Sequence, residues 1–195
     1  MRLFVALDID DNIRGRIARF LDGVRGFAAD ARWVTAESLH LTLKFIGEKS
    51  EDEAEKIKRA LEGITADVFE MNIRGYGFFP GARAPRVFWV GVEVEAGLIS
   101  LAATVEERLA SINIPKEEHT FSPHLTLARG AGDSRSRRKE KSEGASRSLQ
   151  HLQEKLSALP APEFGTMTAR KFFLYQSQLS PGGSRYTQLA GFTLH

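Results

Sequence analysis

Leu39-His40-Leu41-Thr42-Leu43-Lys44-Phe45-Ile46 alternates apolar with polar side chains, and Ser50-Glu51-Asp52-Glu53 follows with the spacing of a helix-capping box. A half-buried strand therefore passes almost directly into a helix, over 54–61. The same order occurs upstream, where 2–9 is a continuous apolar run and 12–21 carries apolar residues at helical spacing behind Asp10 and Asp11. Downstream, strands are predicted over 68–79 and 86–94, joined by the turn-rich Pro80-Gly81-Ala82-Arg83-Ala84-Pro85. An amphipathic helix over 98–109 and a strand over 121–128 come next. A helix over 149–159, stopped by Pro160 and Pro162, leads to strands over 168–178 and 186–194 around the turn Pro181-Gly182-Gly183. Hairpins mixed with single helices predict an α+β protein with largely antiparallel sheets, not a doubly wound parallel sheet.

The chain has 195 residues, enough for one domain or a tightly joined pair of lobes. Hydrophobic residues at 42% and charged residues at 27% exclude wholesale disorder and fibrous repeats. The absence of cysteine removes thiol nucleophiles, disulfide frameworks, iron–sulfur clusters and cysteine-based zinc sites. The N-terminal apolar run is too short for a signal core and is broken by acids, and no window reaches the roughly 20 apolar residues of a membrane span. A soluble, cytoplasmic protein without a membrane partner is expected. The net charge of +2 is unevenly spread, because Arg135, Arg137, Arg138, Lys139, Lys141 and Arg147 outnumber Asp133, Glu140 and Glu143 within one stretch. That stretch, 130–148, is rich in Gly, Ser, Arg and Lys and reads as a loop whose basic residues add electrostatic affinity for RNA or merely form a solvated insertion.

The tetrapeptide His-Leu-Thr-Leu occurs at 40–43 and again at 124–127. On a strand the leucines face one side while His and Thr share the other, about 6.6 Å apart. Each copy thus presents an imidazole with a hydroxyl. A single such His is more often a hydrogen-bonded structural residue than a catalyst, but two copies in matching strands favour chemistry. A metal site is the weaker alternative: neither copy has an acid at ligand spacing, and His-x-Thr lacks the helical i, i+4 pattern of paired histidine ligands.

These residues carry a resemblance. The two His-x-Thr-x motifs, the opening Arg2-Leu3-Phe4-Val5-Ala6-Leu7-Asp8, Arg32-Trp33-Val34 before the first motif and Lys44-Phe45-Ile46-Gly47 after it are similar to the two-histidine phosphoesterases. Within that superfamily the chain most resembles the RNA 2′,3′-cyclic phosphodiesterases, also called 2′-5′ RNA ligases. Gly77-Phe78-Phe79-Pro80, Pro85-Arg86-Val87-Phe88-Trp89-Val90-Gly91 and Pro123-His124-Leu125-Thr126-Leu127-Ala128-Arg129 extend the likeness over nearly the whole chain. The basic stretch after Arg129 is longer and more charged than the family pattern.

The resemblance implies a single bilobed domain over 1–195, with duplicated βα units around a central cleft and metal-independent hydrolysis of RNA 2′,3′-cyclic phosphate ends to 2′-phosphomonoesters. It also implies reversible 2′-5′ ligation as an accompanying reaction. Opening the cyclic ester needs a base on water, an acid on the leaving ribose oxygen and donors to the non-bridging oxygens, which two His and two Thr together can supply. By resemblance His40 is the proton donor and His124 the proton acceptor, with Thr42 and Thr126 donating to phosphate oxygens. Arg129, at odd parity from Thr126, is either a phosphate clamp bent over the cleft or a solvated residue. Phe78 and Phe79 are candidate base-stacking residues, of which at least one belongs to the core. Phe79 is the candidate for substrate binding. Trp33 and Trp89 read as packing residues, and His119, His151 and His195 as bystanders. No cofactor is expected, the partners are RNA ends carrying a cyclic phosphate, tRNA fragments among them, and the chain is expected to be a monomer. Two other readings stay open: a two-histidine esterase of small cyclic nucleotides or 2′-5′ linkages, and an RNA-end binding module without turnover.

Overall fold

The computed structural model describes residues 1–93, 95–130, 146–180 and 183–195. Strand β1 (Arg2–Asp8) is apolar throughout because both of its faces are covered: Leu3, Val5 and Leu7 enter the main core while Phe4 and Ala6 join a smaller cluster on the opposite face. Asp10 caps helix α1 (Asp11–Val24) by accepting the Ile13 N–H at 2.8 Å, and Ile13, Ile17, Leu21 and Val24 form its buried stripe. A two-residue strand β2 (Arg32–Trp33) and a 3₁₀ turn over Ala36–Ser38 lead into β3 (His40–Glu48). The expected capping box is present ahead of α2 (Glu51–Glu62), with both reciprocal Ser50–Glu53 bonds made.

The hairpin β4 (Phe69–Phe79) and β5 (Val87–Val92) precedes α3 (Ala96–Ala110) and β6 (His124–Arg129). After α4 (Arg147–Ser157), capped by Ser146, come β7 (Glu163–Ala169), β8 (Lys171–Ser180) and β9 (Gly183–Thr193). The single strand predicted over 168–178 is therefore two: β7 ends at Ala169, and the chain crosses from one sheet to the other at Arg170 without a Gly or Pro to mark it. The basic residues Arg135, Arg137, Arg138, Lys139 and Lys141, like Pro181 and Gly182 of the last predicted turn, lie outside the described residues.

The strands form two antiparallel sheets, β3-β1-β8-β9 and β2-β6-β5-β4-β7. The α+β, antiparallel expectation is met. Strands β3 and β6 lie against each other where the sheets meet, so each sheet brings one His-Leu-Thr-Leu strand to the seam. Helix α3 packs against β3 and β4 and so spans both sheets, α1 packs on β7 and α2 on β9. One continuous apolar core runs through both halves. Among the described residues no helix is long and apolar enough to cross a membrane.

Candidate active site

Both motif strands depart from regular pleating at the same place. In β3 the partners of β1 skip Leu43 (Val5 pairs Lys44, Ala6 pairs Thr42), and in β6 the partners of β5 skip Leu127 (Phe88 pairs Ala128, Trp89 pairs Thr126). Each skipped leucine is a β-bulge, which flips the parity of the later residues in its strand. His40 and Thr42 share the half-buried face while Leu41, Leu43 and then Lys44 go to the core, so Phe45 emerges at 59% exposure. Strand β6 repeats the pattern: His124 and Thr126 share one face, Leu125, Leu127 and Ala128 are buried, and Arg129 emerges exposed. Unbroken alternation would set Lys44 beside His40. Instead its Nζ is buried, donating to both oxygens of Glu106 and to the Pro115 carbonyl at 2.8 Å each. Arg129 likewise keeps its strand position, and the bulge rather than a bend of the chain returns it to the face of His124 and Thr126.

Each histidine begins its strand and bonds backward by two residues. His40 Nδ1 lies 2.8 Å from the Ser38 carbonyl, and His124 Nδ1 lies 2.7 Å from the Ser122 carbonyl. A carbonyl oxygen only accepts, so Nδ1 carries the hydrogen in both rings and Nε2 is the nitrogen that titrates. Burial pushes both imidazoles below their ordinary pKa, partly opposed by the carbonyl bond that favours the charged ring. For His40 the Asp8 carboxylate also favours the charged form, while His124 and Arg129 oppose it; for His124 Arg129 is again unfavourable. His40, His124 and Arg129 therefore share one electrostatic field, and among the described residues an acid acts on the His40 side alone.

That acid is held in place. Asp8 pairs across β1 with His40, and its Oδ1 accepts from the Ile9 N–H at 2.9 Å and from Arg14 Nη2 at 2.7 Å. Arg14 also donates to the Ala36 carbonyl in the turn that supplies Ser38, tying the approach to His40 to helix α1. The sequence reading did not single out Asp8 or Arg14. A readable signal existed, since Asp8 ends β1 and Arg14 lies one turn into the next helix.

Aromatic rings line both histidines. Phe4 and Tyr186 flank His40 at centroid distances of 4.8 and 4.9 Å, with Tyr186 edge-on, and Tyr175 stacks on Phe4 at 5.2 Å. On the other side Phe79 meets His124 edge-on at 4.9 Å and Trp89 at 5.1 Å. Of the two adjacent phenylalanines, Phe78 is core, 8% exposed and stacked on Phe88, and Phe79 faces the histidine. Trp33 is a packing residue as expected, its Nε1 donating to the Ala28 carbonyl at 2.9 Å. Trp89 is not simply core: Phe88 and Val90 occupy the core face of β5, so Trp89 points to the side of His124, 6.1 Å away. Its indole lies over Gly77, where a Cβ would stand 2.1 Å from the ring. His119 and His195 are exposed and lie apart from these rings, and His151 sits near Glu154 and Phe27. Among the described residues no group of three or more His, Cys, Asp and Glu is arranged to hold a metal ion.

Such an arrangement can remove a proton at one Nε2, deliver one at the other and offer two hydroxyls to the atom between. Known proteins are similar to the chain as a whole. The profile of the family described as LigT like Phosphoesterase matches the chain twice, over residues 7–89 and 90–186. A protein of Archaeoglobus fulgidus named RNA 2′,3′-cyclic phosphodiesterase is 35% identical over 98% of this chain and 99% of its own. One of the same name from Methanothermobacter thermautotrophicus is 31% identical over 100% and 99%. The crystal structure of E. coli LigT complexed with 3′-AMP superposes with a TM-score of 0.78 at 28% identity, covering 99% of this chain and 97% of that one.

Proposed function

Because the chain belongs to the LigT-like phosphoesterase family, we propose that it is an RNA 2′,3′-cyclic phosphodiesterase working through His40 and His124. The observation that carries this reading is the matched pair of strand-leading histidines, each with Nδ1 committed to a backbone carbonyl and each with a threonine on its own face. In the proposed reaction His124 Nε2 takes a proton from water as the oxygen attacks phosphorus. The bond to the ribose 3′-oxygen breaks in line, and His40 Nε2–H protonates that oxygen, leaving a 2′-phosphomonoester and a 3′-hydroxyl. Thr42 and Thr126 hydroxyls donate to the non-bridging oxygens, and Arg129 offsets their charge. The direction of transfer is supported by Asp8, which favours a protonated ring at His40 and has no counterpart at His124 among the described residues. A bound phosphate adds negative charge beside both rings and raises their proton affinity, bringing His40 into its acid form. With a 5′-hydroxyl in place of the attacking water, the same groups in the same roles form a 2′-5′ linkage as the ribose 3′-oxygen leaves, and the return reaction exchanges the duties of the two histidines.

The two halves act as one unit, since each supplies one histidine. The substrates are RNA ends carrying a cyclic phosphate, tRNA fragments among them, acted on by a cytoplasmic monomer. Phe79, against the His124 ring, offers a face for a terminal base. The deciding experiment incubates the protein with RNA ending in a 2′,3′-cyclic phosphate, with 2′,3′-cyclic mononucleotides and with 2′-5′ dinucleotides, and identifies the ester formed. A 2′-phosphomonoester on RNA is expected. A 3′-phosphomonoester, or turnover of only the 2′-5′ dinucleotide, would overturn the reading.

A further inference from the structure

In the β2–β6 ladder Arg32 stands directly opposite Arg129, and both side chains are exposed. Opposed residues of an antiparallel pair share a face, with Cβ atoms about 4.5–5.5 Å apart, and like charges placed so are unfavourable. The neighbouring pair fixes which face it is. Trp33, opposite Ala128, is anchored in the core by its bond to the Ala28 carbonyl and its edge contact with Phe88 at 6.0 Å. Arg32 must therefore point the other way, onto the side of His124, Thr126 and Arg129. A backbone bond from the Val34 N–H to the Leu127 carbonyl, 2.9 Å, holds this short strand in register. Among the described residues no carboxylate lies within ion-pair distance of either guanidinium. Two like charges are thus held side by side by a strand of only two residues. Strand β2 is the edge of its sheet and Arg32 stands opposite the last residue of β6, whereas His124 is the first, which places Arg32 outward from the reacting centre.

We propose that Arg32, beside Arg129, forms a second phosphate subsite that takes the phosphodiester one linkage upstream of the cyclic end. The subsite rests on the function proposed above and gives that function a preference for an RNA chain over a mononucleotide. A bridging phosphate relieves the repulsion between the two guanidiniums, and their forked donors suit its paired oxygens.

The test compares wild type with Arg32→Ala and Arg32→Lys on three substrates: a 2′,3′-cyclic mononucleotide, a short RNA with a cyclic end, and the same RNA with a neutral methylphosphonate at its last linkage. Binding of a labelled RNA ending in a 2′-phosphate is titrated in parallel, so that Arg32 can be judged without turnover. Arg32→Ala is expected to raise KM on RNA about tenfold with kcat kept, and to lower the slope of log Kd against log salt by about 0.7. The mononucleotide and methylphosphonate substrates should be indifferent to it, and Arg32→Lys should restore part of the RNA affinity. An equal loss on mononucleotide and RNA, or an unchanged RNA affinity and salt slope, would overturn the subsite. Wild type that opens no cyclic phosphate, with the Arg32 effect on RNA binding intact, would sink the catalytic reading and leave the subsite standing.

Discussion

At the scale of single residues, the two histidines differ among the described residues by one acidic neighbour, and that difference sets the expected pH behaviour. Both rings titrate below the ordinary imidazole value because burial disfavours their charge. In free enzyme the base must be neutral and the acid charged, so kcat/KM should be bell-shaped with its maximum on the acid side of the usual imidazole range. Asp8→Asn keeps the Oδ1 acceptor for the Ile9 N–H and Arg14 but removes the charge that favours protonated His40. The alkaline limb should then move to lower pH while the acid limb, set by His124, stays. A shift of the acid limb alone would reverse the donor and acceptor roles. His40→Ala and His124→Ala should each lower turnover about 10²–10⁴-fold in proteins that still melt cooperatively, and the double variant should be little worse than either. Thr42→Val and Thr126→Val should cost less, as each removes one donor and leaves both proton carriers.

At the scale of elements, the bulges at Leu43 and Leu127 explain what alternation could and could not reveal. The His and Thr of each motif precede the bulge, so their shared face was legible from spacing alone. Lys44, Phe45 and Arg129 come after it, and no residue type marks a bulge at a leucine, so their faces were not. Capped helices were legible because Asp10 and Ser50 announce themselves, while β2 has too few residues to show a period and the β7–β8 boundary has no turn residue. The Lys44 ion pair is a consequence of the first bulge. Lys44→Met should destabilise the protein by about 3 kcal/mol, the low end for breaking a buried pair, because Glu106 keeps some solvent contact. Denaturant titration reads this directly, and a change below about 1 kcal/mol would show that the pair does not hold β3 to α3. On β4, Gly77→Ala should cost about 1–3 kcal/mol by driving a methyl into the Trp89 indole, and should lower turnover through the contact of Trp89 with His124. In a Trp89→Leu background the stability cost of that alanine should largely disappear.

At the scale of the whole molecule, each of the two histidine rings belongs to a different sheet, so the seam between the sheets couples the proposed site to the stability of the fold. The profile match to both halves and the repeated burial pattern of β3 and β6 agree that one βα plan has been used twice, with Phe45 and Arg129 at corresponding positions. The halves have diverged after their bulges, apolar on one side of the seam and cationic on the other, which gives the seam a direction that two identical halves would lack. Seating both imidazoles in this seam couples their protonation to folding. Their folded pKa values lie below the unfolded one, so between the two the unfolded chain binds more protons, and stability falls as pH drops through that window. Above the unfolded histidine value the contribution is complete; below the folded values it is lost. The melting temperature of wild type should therefore decline from neutral pH into the acid range more steeply than that of a His40→Asn, His124→Asn double variant, whose side chains keep a donor for the Ser38 and Ser122 carbonyls but do not titrate. Inorganic phosphate should raise the wild-type melting temperature more at the acid end, where the rings it neutralises are charged, and should do little for the double variant. Parallel melting curves for the two proteins across that range, with or without phosphate, would mean that the rings are solvated enough to titrate freely and that the seam does not desolvate them.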